Sequence, residues 1–299
     1  MEENLFAPPR NVAAISECYF YQVIDLPGYG QVGEEWDLRG GEESYLGGVS
    51  FQGKRVLELG TASGYLCRFM EGHGADVIGF DLPADRFWDL VPFAGLDLAS
   101  ARIGMRDHIE KVKNGWWFAH RLFGSRARAV YGNIYEIPEA IGPVDISTFG
   151  SILLHLRDPF QALYSALRLT RETVIVTELH PDQSVRVVSS APPLLGKFYL
   201  GLSRQIERFL TKRGLIPPAT VVVQNPGRIY FVPNPHEALS AQTATWWIFT
   251  PEVMCCFLGV LGFGDQVLTE HFQTFQGKRM RLYTVVANRT RGRVEGDSG

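Results

Sequence analysis

The chain has 299 residues and a formal net charge of −3, with 29 Lys and Arg against 32 Asp and Glu. Hydrophobic residues make up 45% of it and charged residues 20%, which is typical of an ordinary globular protein. These values exclude a disordered tail, a collagen-like repeat and a disulfide-stapled mini-protein. The mild acidity provides no overall electrostatic attraction to nucleic acid or to an anionic membrane.

The cysteines and the apolar runs indicate a cytoplasmic protein. Cys18, Cys67, Cys255 and Cys256 show no metal-binding spacing, so we predict reduced thiols and no metal site. The first residues, MEENLFAPPRN, lack the charged-then-apolar pattern of a signal peptide. The richest apolar stretch, Val253–Phe263, is too short to span a membrane.

The N-terminal segment, residues 1–50, is rich in polar, aromatic and glycine residues. Tyr19–Asp25 is predicted to be a helix or a strand, and LPGYG and EEWDLRGGEESYL follow it. Trp36 and Arg39 in this stretch lie about 15–20 residues before the first predicted buried strand. Their proposed roles depend on the motif that comes next.

A strand–turn–helix–strand unit follows. Arg55–Leu59 is predicted to be a buried strand, and the small residues of Gly60–Gly64 a turn. Apolar residues then recur at helical spacing from Tyr65 to about Gly72–Gly74. Val77–Phe80 is predicted to be a second buried strand, and Asp81 stands at its carboxyl end, about 20 residues after the turn.

This unit predicts a nucleoside-binding turn. Small residues let the backbone approach a ligand closely, and an acid such as Asp81 can accept hydrogen bonds from both ribose hydroxyls. A dinucleotide site would have a third glycine, whereas this turn has only Gly60 and Gly64. Glu58 would repel a pyrophosphate but suits a sulfonium or amino group. The residues therefore favour S-adenosylmethionine over NAD.

Between the second and third strands we predict an insertion over about residues 87–128. It contains three consecutive aromatic residues, Trp116, Trp117 and Phe118, with His120 close behind. One face of a single helix cannot bury all three.

Alternating strands and helices continue after this insertion. We predict a fourth strand over Val144–Phe149, ended at Gly150, and a ligand-side loop at Leu153–Arg157. A helix over Pro159–Leu169 and an apolar strand over Thr173–Leu179 follow.

The last third contains a second insertion and a predicted closing unit. Residues 181–249 form a long connection with a helical repeat of Phe198, Leu202, Ile206 and Phe209, beside basic residues. This pattern indicates an amphipathic helix packed on the domain, with a membrane-surface or RNA-contacting helix as the alternative. After it we predict a helix and two strands that form a hairpin, followed by a frayed tail: Pro251–Gly262, Gln266–Gln273, Met280–Asn288 and residues 289–299.

Four stretches resemble the class I S-adenosylmethionine-dependent methyltransferases. They are VLELGTASG, GFDLP, YGNIYEIP and VDISTFGSILLHLRDP. The resemblance implies an α/β, Rossmann-like sheet, mostly parallel with a C-terminal antiparallel hairpin, and here with helical cap insertions. From about Tyr21 to Glu178 the chain also resembles the tRNA wobble-uridine methyl- and carboxymethyltransferase subgroup, through Leu154-His155 in the fourth loop.

The resemblance implies a set of cofactor contacts. In the family the N-terminal segment folds over the cofactor, which places Arg39 to clasp the methionine carboxylate; a surface ion pair with Glu42 or Glu43 is the alternative. The residue at Asn133 contacts the adenine amine in that family. The full predicted set is Arg39, Glu58, Gly60, Thr61, Ala62, Gly64, Asp81, Leu82, Asn133, Ile134 and Gly150.

Candidate residues for catalysis and substrate binding lie on the loops. His155 is the best candidate base, because it follows the fourth strand and its ordinary pKa is close to neutrality; satisfying loop backbone groups is the alternative. The predicted substrate contacts are Trp36, Trp117, His120, His180, Trp246 and Trp247. Structural roles, as buried anchors for the tryptophans and polar surface for the histidines, stay open at this point.

These observations predict a methyltransferase that acts on a small-molecule acceptor. The alternatives are a tRNA-modifying methyl- or carboxymethyltransferase, against which the net charge counts, and a cofactor-binding protein without catalysis. A carboxylated donor, the acceptor atom and the oligomeric state stay open. We predict a lid at 1–50, a core at 51–180 with the insertion at 87–128, a substrate cap at 181–249 and a closing unit at 250–299.

Overall fold

The computed structural model describes residues 5–83, 89, 97–181, 227–232 and 245–292. The predicted amphipathic helix of the second insertion and most of the predicted tail lie outside these residues.

The N-terminal segment consists of short elements. A hairpin of two strands, β1 and β2, is followed by a short strand β3 and one turn of helix, α1. The predicted element at Tyr19–Asp25 becomes a strand only from Ile24 onward. The bounds are β1 Ile24–Leu26, β2 Gly30–Val32, β3 Trp36–Asp37 and α1 Glu42–Tyr45.

The central part alternates strands and helices as predicted. The strands match their predicted positions within a few residues, and Asp81 is the last residue of its strand. The bounds are β4 Arg55–Leu59, α2 Tyr65–Gly72, β5 Asp76–Asp81, α3 Leu98–Phe123, β6 Arg128–Tyr131, β7 Val144–Gly150, α4 Pro159–Leu167 and β8 Thr170–Leu179.

The C-terminal part contains a small sheet, a helix and a long hairpin. The hairpin strands extend beyond the predicted ones at both ends, and the helix ends at Val260, two residues before Gly262. The bounds are β9 Ile229–Phe231, β10 Trp247–Phe249, α5 Pro251–Val260, β11 Phe263–Phe275 and β12 Lys278–Arg289.

In the described part of the chain, eight strands form one sheet in the order β3-β11-β12-β8-β7-β4-β5-β6. The five strands from β4 to β8 pair in parallel, and β12 pairs antiparallel with both β8 and β11. The strand order reverses between β4 and β7, which creates the crevice where open α/β sheets bind ligands. The predicted class I methyltransferase fold, with its closing hairpin, is thereby confirmed.

Each face of the sheet has its own apolar core. Helices α4 and α5 pack on one face, against residues such as Leu57, Val176 and Tyr283. Helices α2 and α3 and the N-terminal segment pack on the other face, against residues such as Val56 and Ile175. The N-terminal segment is therefore part of the fold on the α3 side.

Helix α3 explains how three consecutive aromatic residues are buried. Asp97 caps its N-terminus by accepting from the amides of Ala99 and Ser100, and Gly124 ends it in the left-handed conformation. The helix lies between the sheet and the N-terminal segment, whose Tyr19 amide donates to the Lys111 carbonyl of the helix at 2.8 Å. Two sides of α3 are covered, so Trp116, Trp117 and Phe118 are all buried on different sides.

Candidate active site

The glycine turn after β4 lies at the crevice between β4 and β7. Gly60 has a φ of +72°, and a Cβ placed on it would lie 2.8 Å from Ile152 Cδ1, in the loop after β7. Gly64 starts α2 with a φ of +81°, and a Cβ there would lie 2.5 Å from Trp116 Cδ1. Both positions require glycine, for conformation and for space.

Asp81 is bonded to this turn. Its Oδ2 accepts the Ala62 amide at 3.0 Å, and its Oδ1 accepts the Leu82 amide at 2.7 Å. Burial raises the pKa of the Asp81 carboxyl, and these amides together with Lys113 oppose that rise. The residue as a whole is half-buried, and these two amides fix the direction of its carboxylate.

Glu58 is the second acid of the motif. It is 4% exposed, and its Oε2 is buried without a hydrogen-bond partner among the described residues. Burial, with a smaller contribution from the charge of Asp81, raises the pKa of the Glu58 carboxyl to about 8. An unsatisfied buried oxygen is costly, which is the condition under which a ligand that donates a hydrogen bond binds well.

The other predicted cofactor contacts fall around the same edge. Thr61 is buried, and Ala62 has a φ of +47°, which keeps the turn tight. Asn133 follows β6 and accepts the Tyr135 amide at 3.2 Å through Oδ1, while the Ile134 side chain is buried in the core on the α4 side. Gly150 ends β7 with its Cα against the Tyr45 ring.

The N-terminal segment is hydrogen-bonded to the glycine turn. The Tyr21 amide donates to Ser63 Oγ at 3.2 Å, and Ser63 Oγ donates to Gln22 Oε1 at 2.8 Å. Gln22 in turn pairs with Trp36 in an isolated bridge. Residues of the predicted lid therefore contact the turn directly, through Ser63, a residue that sequence reasoning did not single out.

His155 lies in a short 3-10 turn, Leu153–His155, directly after the crevice. Within Leu153–Leu156, the three leucines are buried and His155 alone is partly exposed. The side of the turn away from solvent contacts Glu178, whose carboxyl accepts the Leu153 amide at 3.0 Å. Sequence reasoning missed Glu178, although an acid in the otherwise apolar run TVIVTEL was a signal.

Trp246 and Trp247 approach the same loop from β10. The Trp247 indole donates to the Leu156 carbonyl at 2.8 Å, and the Trp246 indole donates to the Asp89 carbonyl at 3.0 Å. The Trp246 amide also donates to the Leu154 carbonyl at 2.9 Å. These bonds make both tryptophans anchors of the loop; their contact with substrate stays a prediction.

Three predicted substrate contacts take part in packing or hydrogen bonds within the fold. Trp36 is 9% exposed and packs on Phe275, and Trp117 is buried with its indole donating to the Tyr131 hydroxyl at 3.0 Å. His120 lies near the C-terminal end of α3 and contacts the Ala127 carbonyl, just before β6 begins. That is the amino-terminal edge of the parallel strands, opposite to the crevice. These contacts favour the structural alternatives, and a substrate role for the three side chains stays a prediction.

Arg39 and His180 both lie beside carboxyl groups. Arg39 donates to Asp37 and to Asp25, at 2.7 Å and 2.9 Å, instead of to Glu42 or Glu43. His180 follows β8 and lies 3.5 Å from Glu270. A role for Arg39 in holding a methionine carboxylate, or for His180 in holding a substrate, requires exchange of these carboxylate partners and stays a prediction.

Lys113 is a further residue that the sequence did not reveal. It is 3% exposed on α3, and its ammonium lies 4.2 Å from the centre of the Tyr131 ring. Its positive charge favours the ionised form of Asp81. A lysine within a helix is usually on the surface, so only the packing of α3 against the ends of β5 and β6 shows this relation.

The described residues contain neither a membrane-spanning helix nor a group of metal ligands. None of the described helices is both long and apolar enough to cross a membrane. Within the described ranges, no three His, Cys, Asp or Glu side chains are grouped in a way that could hold a metal ion.

Known proteins show only distant similarity to this chain. No family model matches the chain, and no curated protein matches its sequence. Three similar solved structures are a Burkholderia thailandensis 1,6-didemethyltoxoflavin-N1-methyltransferase, a Synechocystis magnesium protoporphyrin IX methyltransferase and a Methanosarcina mazei SAM-dependent methyltransferase. In that order the identities are 15%, 13% and 12%, and the TM-scores 0.46, 0.43 and 0.44. They cover 84%, 80% and 79% of this chain, and 77%, 76% and 92% of their own chains.

Proposed function

We propose that the chain is an S-adenosylmethionine-dependent methyltransferase that acts on a small-molecule acceptor. The observation that carries this proposal is the pairing of the glycine turn with Asp81: the Ala62 amide of the turn donates to the carboxylate at the tip of the neighbouring strand. This pairing lies at the point where the strand order reverses, the usual place for a nucleoside in an open α/β sheet.

The residues around this pairing fit the cofactor. Asp81 would accept the ribose hydroxyls, and Asn133, two residues after the next strand ends, would bind the adenine amine. The unpartnered Oε2 of Glu58 suits an amino group, and Gly60 lets the backbone approach closely. A dinucleotide site would have a third glycine in this turn, which has only Gly60 and Gly64.

The acceptor is placed by the loop after β7. A sulfonium donor supplies a methyl group that is already activated, so the protein chiefly orients the acceptor and removes a proton where one must leave. His155 is the partly exposed residue of a loop whose Ile152 touches the glycine turn, and we assign to it the removal of that proton. The substrate cap of residues 181–249 would determine which acceptor is bound.

Transfer of a labelled methyl group tests this proposal. The protein is incubated with methyl-labelled S-adenosylmethionine and with either a small-molecule extract or total tRNA. We expect label in the small-molecule fraction. Label in tRNA would replace the proposal with the RNA-modifying alternative, and binding of the cofactor without any transfer would favour the non-catalytic one.

A further inference from the structure

Glu178 is a buried acid that the proposed reaction does not use directly. It is 1% exposed on the α4 face of β8, in a strand whose neighbours on that face, Val174 and Val176, are fully buried apolar residues. Burying a carboxyl among such residues costs free energy unless it is hydrogen-bonded. The position therefore calls for a specific reason.

The hydrogen bonds of Glu178 point to that reason. Its Oε1 accepts the Leu153 amide at 3.0 Å, and the adjacent Leu154 amide, like that of Leu153, opposes the rise that burial causes in the pKa of the same carboxyl. These amides begin the 3-10 turn that carries His155. Tyr283, which lies opposite Glu178 on β12, instead donates its hydroxyl to the Phe249 carbonyl at 3.1 Å.

Backbone carbonyls of the same turn are also held by hydrogen bonds. The Leu154 and Leu156 carbonyls accept from Trp246 and Trp247, as described above. On the opposite side of the loop, the Tyr45 hydroxyl donates to Ser151 Oγ at 3.3 Å, and Ser151 itself has a φ of +51°. A loop held in this way presents a single side chain in one position, which is what a proton acceptor requires.

We infer that Glu178 is a positioning residue, whose carboxyl holds the backbone of Leu153 and Leu154 and thereby fixes the placement of His155. This inference rests on the proposed role of His155 in the reaction. It assigns to Glu178 no contact with substrate or cofactor, because the side chain is buried behind the turn.

The test observes His155 directly by NMR, with the full chain labelled at the histidine Cε1 carbon and no ligand added. The chain has seven histidines, and the spectrum of His155→Gln identifies the signal of His155. Glu178→Gln keeps the shape of the side chain and one oxygen acceptor. Glu178→Leu leaves no acceptor. The matched control is Glu172→Gln, which removes an exposed carboxyl from the same strand, where Glu172 pairs with Lys54.

We expect the His155 signal to move in Glu178→Gln and further in Glu178→Leu, and to stay in place in Glu172→Gln. Amide exchange at Leu153 and Leu154 should accelerate about 10-fold or more in Glu178→Leu, as for loss of a hydrogen bond to a carboxylate. An unchanged His155 signal in both Glu178 variants would overturn the inference.

A measurement on the unaltered protein covers the case in which a variant fails to fold. The inference requires the Leu153 and Leu154 amides to exchange as slowly as those of the neighbouring strands, and exchange at the rate of an open loop would contradict it. Neither measurement involves a cofactor. Failure of the proposed function would instead appear as absence of binding by S-adenosylhomocysteine, so the two failures can be told apart.

Discussion

The two halves of the crevice are built in different ways. The half that we propose for the cofactor comes mainly from one short stretch, Glu58 to Leu82, in which a turn and a strand tip are joined by the bond from Ala62 to Asp81. The half that we propose for the acceptor is built on the turn that carries His155: the Leu153 amide donates to Glu178, 25 positions later, and the Leu154 carbonyl accepts the amide of Trp246, which lies beyond the second insertion. The first half is a local motif and the second is a tertiary assembly, so changes should affect them differently.

The largest expected effect is on the acceptor half. His155→Ala should reduce the rate of methyl transfer by about 10²–10⁴-fold, the usual contribution of a general base. The affinity for S-adenosylhomocysteine should change less than about 2-fold, because the cofactor contacts lie in the other half. Rate and affinity are measured by label transfer and calorimetry. Equal losses in transfer rate and in cofactor affinity would show that the two halves do not act separately.

The next effect is on protein stability, through the glycine turn of the cofactor half. Gly64→Ala should lower the free energy of unfolding by about 3 kcal/mol, since the new Cβ combines left-handed backbone strain with a clash against buried Trp116. Gly277→Ala is the matched control, because Gly277 has a φ of +74° and no atom within 4 Å of the added Cβ. That variant should lose only about 1 kcal/mol. Urea unfolding compares the two, and equal losses would show that Trp116 does not constrain the turn.

Asp81→Ala tests the ligand contact of the cofactor half. We expect binding of S-adenosylhomocysteine to weaken by roughly 1–3 kcal/mol, the cost of losing charge-assisted hydrogen bonds. The control is Asp76→Ala at the other end of β5, where Asp76 pairs with Arg128 at 2.8 Å. Its calorimetric affinity should equal that of the unaltered protein. Unchanged binding in Asp81→Ala would place the ribose elsewhere.

The last effect is a pH dependence of stability that both halves share. Burial raises the pKa of Glu58 and of Glu178 to about 8, above the ordinary 4.5. The native state then holds protons that the unfolded state releases, so stability is fully present below the unfolded pKa and falls as pH rises toward the folded pKa of about 8. Each group contributes a slope of at most about 1.4 kcal/mol per pH unit.

Glu58→Gln and Glu178→Gln should each flatten this decline between pH 4.5 and about pH 8, the interval between the unfolded and the folded pKa of each carboxyl. Unfolding in urea at a series of pH values measures it, with Glu172→Gln as the exposed control. A decline of equal slope in all the variants would mean that the buried carboxyls do not cause it.

The contrast between the halves also explains what the sequence could predict. The cofactor turn could be predicted from the spacing of Glu58, Gly60, Gly64 and Asp81. The parallel sheet and its hairpin could be predicted from the alternation of strands and helices. The fold and the place of the predicted cofactor turn in it could therefore be predicted from the sequence.

The sequence could not resolve side chains whose role depends on which elements meet. Trp117 and His120 looked like pocket residues, but the covering of α3 from two sides leaves Trp117 buried and places His120 near the opposite edge of the sheet. Lys113 and Glu178 show the reverse case. Packing buries each of them beside the crevice, and in the sequence only Glu178 gave a signal, as an acid within an apolar run.

Calorimetric titration with S-adenosylhomocysteine, followed by S-adenosylmethionine and NAD, tests the central claim most directly. The account predicts micromolar binding of the two sulfur nucleosides, with a loss in Asp81→Ala, and no binding of NAD. Binding of NAD alone, or of none of the three, would contradict the assignment of the turn and Asp81 to this cofactor.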